Sequence, residues 1–112
     1  MATMIYGDPF TSDLIGRMDD DGTVMDDPWQ YSAVGRVEND GSVFDQPYSG
    51  FPVGHVNDSG YVFRGWPGGE MIGRVGDNGL VYDSPFGSNS VGRVEGRRKM
   101  EAGAAYLLLL RK

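Results

Sequence analysis

Apolar residues in this chain come in short runs that recur at a fixed interval. The pair Val/Ile-Gly falls at Ile15, Val34, Val53, Ile72 and Val91, each 19 residues from the next. Aligned on that interval, the copies read IGRMDDDGTVMDDPWQYSA, VGRVENDGSVFDQPYSGFP, VGHVNDSGYVFRGWPGGEM and IGRVGDNGLVYDSPFGSNS. A fixed period of this kind is the mark of a repeat architecture and overrides any residue-by-residue reading. In each copy a run of strand character, such as Val34 to Val37, precedes a polar turn, Asn39-Asp40-Gly41, and a second run, Ser42 to Asp45. That pattern predicts a β-hairpin. The turns are Asp20-Asp21-Gly22, Asn39-Asp40-Gly41, Asp58-Ser59-Gly60 and Asp77-Asn78-Gly79. Two short polar residues there take right-handed conformations and Gly takes positive φ at no steric cost, as in a type I turn with a G1 bulge.

The fifth copy starts with Val91 to Glu95 and then changes composition, so its turn and second strand are missing at that end. They are found at the other. Subtracting one period places Ile5 on Val24, Tyr6 on Met25, Pro9 on Pro28 and Phe10 on Trp29. Residues 3–10 are therefore a second strand and linker without a first strand. Pairing of that strand with Val91 to Glu95 would close the array into a ring with no free edges, as the last blade of a propeller is fastened. The expected fold is mainly β: a closed five-fold ring of 19-residue hairpins over residues 3–96, in one domain of 1–112.

Successive strand residues face opposite ways, so the columns of the repeat assign faces. One column is Ile5, Val24, Val43, Val62 and Val81, expected toward the axis; the next is Tyr6, Met25, Phe44, Phe63 and Tyr82, expected on the other face under some cover. The column Gly16, Gly35, Gly54, Gly73 and Gly92 has no side chain where backbones converge. A charged pair of columns, Arg17, Arg36, His55, Arg74, Arg93 and Gly7, Asp26, Asp45, Arg64, Asp83, changes together: Arg64 replaces Asp where His55 replaces Arg. This predicts cross-strand or diagonal Arg-carboxylate pairs, with an anion site formed by the guanidinium groups as the alternative.

After Gly96 the sequence becomes basic and then rich in Ala and Leu. Met100, Ala104, Leu107 and Leu108 lie at i, i+4, i+7 and i+8, and Leu109 and Leu110 carry the apolar surface around the cylinder, which predicts one helix within 97–112. A helix apolar nearly all round needs cover. The ring supplies it if the helix caps or plugs it; a homodimer contact through the helix and a membrane-surface anchor are the rivals. Three bases at a helix N-terminus oppose its dipole, which makes sense if they contact an acidic body.

Composition narrows the function classes. In 112 residues there are 18 Gly, 6 Pro and no Cys, which argues against an all-helical bundle and removes disulfides, thiolate catalysis and zinc-cysteine sites. The net charge of −6 hides a split, with 15 acids and 5 bases in residues 1–96 against 1 acid and 5 bases in 97–112. An acidic body repels phosphate backbones, so no nucleic-acid partner is expected. The apolar segment Ala102 to Leu110 is short of the ~20 residues needed to cross a bilayer, and no secretory signal pattern is seen, so a cytoplasmic protein without a membrane partner is the expectation.

Chemistry is sparse. The one His, His55, sits in a structural column, which leaves a Ser-His-Asp arrangement or a His-based metal site without support. The run Asp19-Asp20-Asp21-Gly22 is like the start of an EF-hand loop but lacks the spaced ligands and terminal Glu, so the plain turn is preferred, and no metal or cofactor is expected. Carboxylates are plentiful, but mostly in turns. Gly65-Trp66-Pro67-Gly68-Gly69 lacks the ending of a P-loop. The constellation that looks like a recognition surface is the linker column, an aromatic beside Pro in every copy: Phe10, Trp29, Tyr48, Trp66 and Phe86. Such rings stack on sugars or hold quaternary ammonium groups. Their bland role would be to plug the gaps between hairpins.

With the motifs VGRVENDGSVFD (Val34 to Asp45) and IGRVGDNGLVYD (Ile72 to Asp83) and the C-terminal helix, residues 3–96 resemble the bacterial β-flower repeat proteins, described as four-fold or five-fold. The resemblance implies two-stranded petals around an axis and no established activity. A looser likeness to the choline-binding hairpin repeats of cell-wall proteins lacks their Tyr-Tyr pairs and has a Gly-Trp pair only once, at Gly65-Trp66, rather than in every repeat. The expected function is a non-catalytic structural or interaction module with a protein or small-ligand partner; the alternative is lectin-like binding by the five loop aromatics.

Overall fold

The computed structural model describes residues 3–10, 13–27, 33–46, 50–65, 69–84, 86–87 and 89–110. Ten strands run in chain order: β1 (Thr3–Tyr6), β2 (Leu14–Met18), β3 (Thr23–Met25), β4 (Ala33–Val37), β5 (Ser42–Phe44), β6 (Pro52–Val56), β7 (Tyr61–Arg64), β8 (Glu70–Val75), β9 (Leu80–Tyr82) and β10 (Ser90–Glu95). A helix α1 (Lys99–Ala105) follows and widens into a π-helical segment, Tyr106–Leu110. Each strand pairs antiparallel with its chain neighbours, and β1 pairs with β10 in the register Met4↔Glu95, Ile5↔Val94 and Tyr6↔Arg93, so the sheet is a closed ten-stranded barrel.

The turn residues explain the tight ends. Gly22, Gly41, Gly60 and Gly79 have φ of 91°, 90°, 89° and 87°. In the first turn the Gly22 N–H donates to Asp19 O and the Asp19 N–H to Thr23 O, both at 2.9 Å. The Gly carbonyls then accept the N–H groups of Val37, Val56, Val75 and Val94 across the next strand junction at 2.8 to 3.0 Å. One residue thus turns its own hairpin and ties it to the following one.

At the opposite end each junction contains a bulge. Val24 faces Gly35 and Met25 faces Ala33, so Val34 has no partner of its own. The same shift leaves over Ile15, Val53, Ile72 and Val91. A bulge places two residues against one and re-aims a side chain, and all five of these pack against the interior core. The Val-Gly steps are therefore bulge positions and not plain strand, which the repeat spacing does not reveal.

The interior is lined by Ile5, Val24, Val43, Val62 and Val81 and by Met18, Val37, Val56, Val75 and Val94, all buried. β-Branched residues suit a pleated surface packed on one face. The helix occupies the space they enclose, in one core cluster with them. Its buried residues are small, Ala102 to Ala105, and a Cβ on Gly103 would collide with Val75. Polar contacts hold its entrance among the turns: the Arg98 N–H donates to Thr3 Oγ1 at 3.3 Å, Arg98 Nη1 to Asp20 O at 3.2 Å, and Lys99 Nζ to Asp77 O at 3.5 Å. The bases thus reach the acidic body through its turn carbonyls.

Tyr106, Leu107, Leu108, Leu109 and Leu110 meet five different strands. A Cβ on Gly92 would lie 2.8 Å from Tyr106 Cε2; on Gly73, 3.0 Å from Leu107 Cδ1; on Gly54 and Gly35, 2.8 Å from Leu108 Cδ1 and Leu109 Cδ1; on Gly16, 3.2 Å from Leu110 Cδ1. The other neighbour is the carbonyl of the hairpin partner, at 2.5 Å from Met25 O for Gly16 and 2.7 Å from Tyr6 O for Gly92. Glycine here lets both backbone and helix come close.

The charged columns are arranged differently from the expected Arg-carboxylate rungs. The register sets Arg36 opposite Phe44, His55 opposite Phe63, Arg74 opposite Tyr82 and Arg93 opposite Tyr6, while Arg64 faces Gly54. Guanidinium carbons lie over the rings of Phe44, Tyr82 and Tyr6 at 3.8 to 3.9 Å, and His55 stacks on Phe63 at 4.7 Å. Ion pairs run along the strand, Arg17 to Asp19 (3.3 Å), Arg36 to Glu38 (3.2 Å) and Arg93 to Glu95 (2.9 Å). The cover over the outer aromatic column is thus the Arg/His column itself.

Candidate functional site

In an antiparallel barrel that pairs chain neighbours, all the loops that follow odd-numbered strands emerge at one end. This linker end carries Phe10 and Phe86 of the predicted aromatics. Phe10 and Phe86 stand 84% and 85% exposed, so neither ring fills a gap between strands. Trp29, Tyr48 and Trp66 lie outside the described residues. Phe51, which the linker column does not include, is 89% exposed. Its signal in the sequence is an aromatic beside a proline, Phe51-Pro52, displaced from the frame of the other copies.

Between the loop after β1 and the start of β10 lies an open depression of about 560 Å³. Ile15, Val91, Tyr106 and Leu110 supply its apolar surface, and Asp8 and Asp13 are its charged lining. Asp8 is fixed by its own loop, its Oδ1 accepting the Phe10 N–H at 2.8 Å. The Tyr106 hydroxyl donates to Val91 O at 3.1 Å, which ties the helix to the strand beneath the depression. Leu108 to Leu110 are only partly buried, so the end of the helix contributes apolar surface to this mouth.

The opposite end is polar. A smaller depression of about 180 Å³ is lined by turn residues such as Asp40, Asn57 and Asp58 with Met100 and Glu101 from the helix. The Thr23 N–H donates to Asp21 and the Ser42 N–H to Asp40, each at 3.0 Å, and these backbone bonds, with the Thr23 and Ser42 hydroxyls, hold both carboxyls below the usual Asp value. Arg98 adds a smaller push in the same direction on Asp21. The acidic turns are thereby accounted for as turn-forming groups. Among the described residues no group of three His, Cys, Asp or Glu side chains converges as a metal ion requires.

On the barrel wall the arginines are already engaged. Arg36 Nη1 donates to Gln46 O and Arg74 Nη2 to Gly87 O, both at 3.0 Å, in addition to their stacking. They pin linkers as well as cover rings. Among the described residues no helix is long and apolar enough to cross a membrane. Comparison with protein-family models, with curated proteins and with solved structures finds no match.

Proposed function

We propose that the chain is a non-catalytic binding and structural module, built as five 19-residue hairpins of the β-flower type with the fifth completed by β1, and that its contact surface is the linker end. The observation that carries this reading is the exposure of Phe10, Phe51 and Phe86 in loops at that end. Isolated exposed apolar residues are ordinary, but three exposed phenyl rings on the loops of the end where Leu108 to Leu110 are also partly exposed give that end apolar surface that water covers at a cost and a partner would cover at a gain. The rigid barrel beneath gives such loops a fixed spacing.

A lectin-like reading draws on the same rings, since Phe10 and Phe86 stand free enough to stack on a sugar face. The test for both is the triple variant Phe10→Ser, Phe51→Ser, Phe86→Ser, screened against a panel of immobilised glycans and peptides. Thermal stability should stay within about 0.5 kcal/mol per site, because the rings bury little, while binding to whichever class the native protein selects is lost. Binding retained by the triple variant would sink the linker-end surface.

A further inference from the structure

The loop after β1 lacks a side chain at a position where the corresponding loops have one. In the 19-residue frame Gly7 stands where the other copies carry Asp26, Asp45, Arg64 and Asp83. A Cβ on Gly7 would lie 3.1 Å from Ile15 Cγ2 and 3.3 Å from Asp13 Oδ2, so a longer side chain there would crowd the edge of the depression. Gly7 is thus a local departure from the repeat at the edge of the depression, at the seam where β1 meets β10.

Among the described residues of the lining, Asp8 and Asp13 are the charged groups and none is Lys or Arg; Ile15, Val91, Tyr106 and Leu110 supply an apolar floor. The loops on either side carry Phe10 and Phe86 at their exposed crests. Carboxylates above an apolar floor suit a cationic head on an aliphatic stem, which can lay the stem on the floor and the charge on the acids. Aromatic faces add cation-π attraction. A lone ammonium compound would leave the phenyl crests uncovered, whereas a chain with spaced Lys or Arg residues would reach the depression and the crests together. The geometry points to a basic polypeptide segment as the occupant, one Lys or Arg side chain seated over Ile15 and Val91 between Asp8 and Asp13, its neighbours against Phe10 and Phe86.

This inference rests on the linker end being the contact surface. The probe is a nonapeptide of alternating Lys and Gly, titrated into the full chain while backbone amide signals are followed by NMR. Saturable shifts should be confined to residues 7–15, 90–92 and 106–110, with the turns at 38–41 and 57–60 unmoved. The double variant Asp8→Asn, Asp13→Asn keeps the amide oxygen that accepts the Phe10 N–H and should weaken binding roughly tenfold, with the melting temperature unchanged. Asp58→Asn, Asp77→Asn removes the same charge at the other end and should weaken it less than about twofold. Absence of saturable binding, equal losses in the two variants, or equally tight binding of N-acetyl-lysine methylamide would overturn the proposal. If the peptide fails while the phenylalanine triple variant still abolishes binding of a glycan, the contact surface stands and only the cationic partner falls.

Discussion

At Gly35 the cost of a side chain can be read atom by atom. A methyl group would meet the carbonyl oxygen of Phe44 on one side and Leu109 Cδ1 at 2.8 Å on the other, and the first of these is backbone that cannot swing away. Gly35→Ala should lose about 1–3 kcal/mol, measured by urea unfolding, and unchanged stability would refute the close approach. The turn carboxylates give a pH signature. Backbone N–H bonds lower Asp21 and Asp40 below their ordinary value of 3.8 in the folded chain, so their stabilisation is present above that value and is lost as pH falls through the lowered one. Both are exposed, and the effect is modest. The urea midpoint should fall on acidification below about pH 4, and less steeply in Asp21→Asn, Asp40→Asn, whose amides still accept the backbone bond without titrating. The glycines and the acidic turns were legible in the repeat because each position recurs. The aromatic partners of the arginines were not: the register puts Phe44, and not Asp45, directly across from Arg36.

The helix shows what an element's own periodicity can and cannot convey. Its apolar stripe predicts a helix that needs cover, and the barrel interior is that cover, yet the switch from α to π geometry at Tyr106 follows from what surrounds it. An α-helix advances 100° per residue, whereas five stations spread evenly around an axis would be about 72° apart. A wider turn with i→i+5 bonding advances less per residue and so lets five consecutive side chains visit five strands in succession. Leu107→Ala should cost about 2–4 kcal/mol in the same unfolding assay, because Leu107 is 5% exposed and its Cδ1 packs against Gly73. Inserting one Ala after Ala105 should cost at least as much while removing no side chain at all. A smaller loss than that of Leu107→Ala would show that matching each residue to its glycine is unimportant.

For the molecule as a whole, closure of the barrel by β1 against β10 is the main structural fact, and it was readable from the unpartnered strand runs at the two ends of the sequence. Deleting residues 1–8 removes β1 and bares the edges of β2 and β10. Exposed edges pair with other chains. The truncated chain should melt well below the parent and form higher-order species by light scattering; a stable monomer would contradict the seam. The proposed contact surface was less legible than the barrel. The linker column marked Phe10 and Phe86, which stand exposed, but Phe51 lies off the frame, and the depression is lined in part by the helix end, Tyr106 and Leu110, which no spacing rule connects to residue 8.

The pairing of Ile5 with Val94 has a consequence in time. During synthesis the chain emerges from residue 1 onward, so β1 must wait for some ninety residues before its second neighbour exists, and the helix that fills the centre comes later still. Until then hairpins can form locally, but the valines that will face the helix have nothing to cover them. The ring is therefore expected to stay open and pliable until residues 106–110 have left the ribosome, and then to shut around them in one cooperative step, with a folding rate set by contacts between distant parts of the chain.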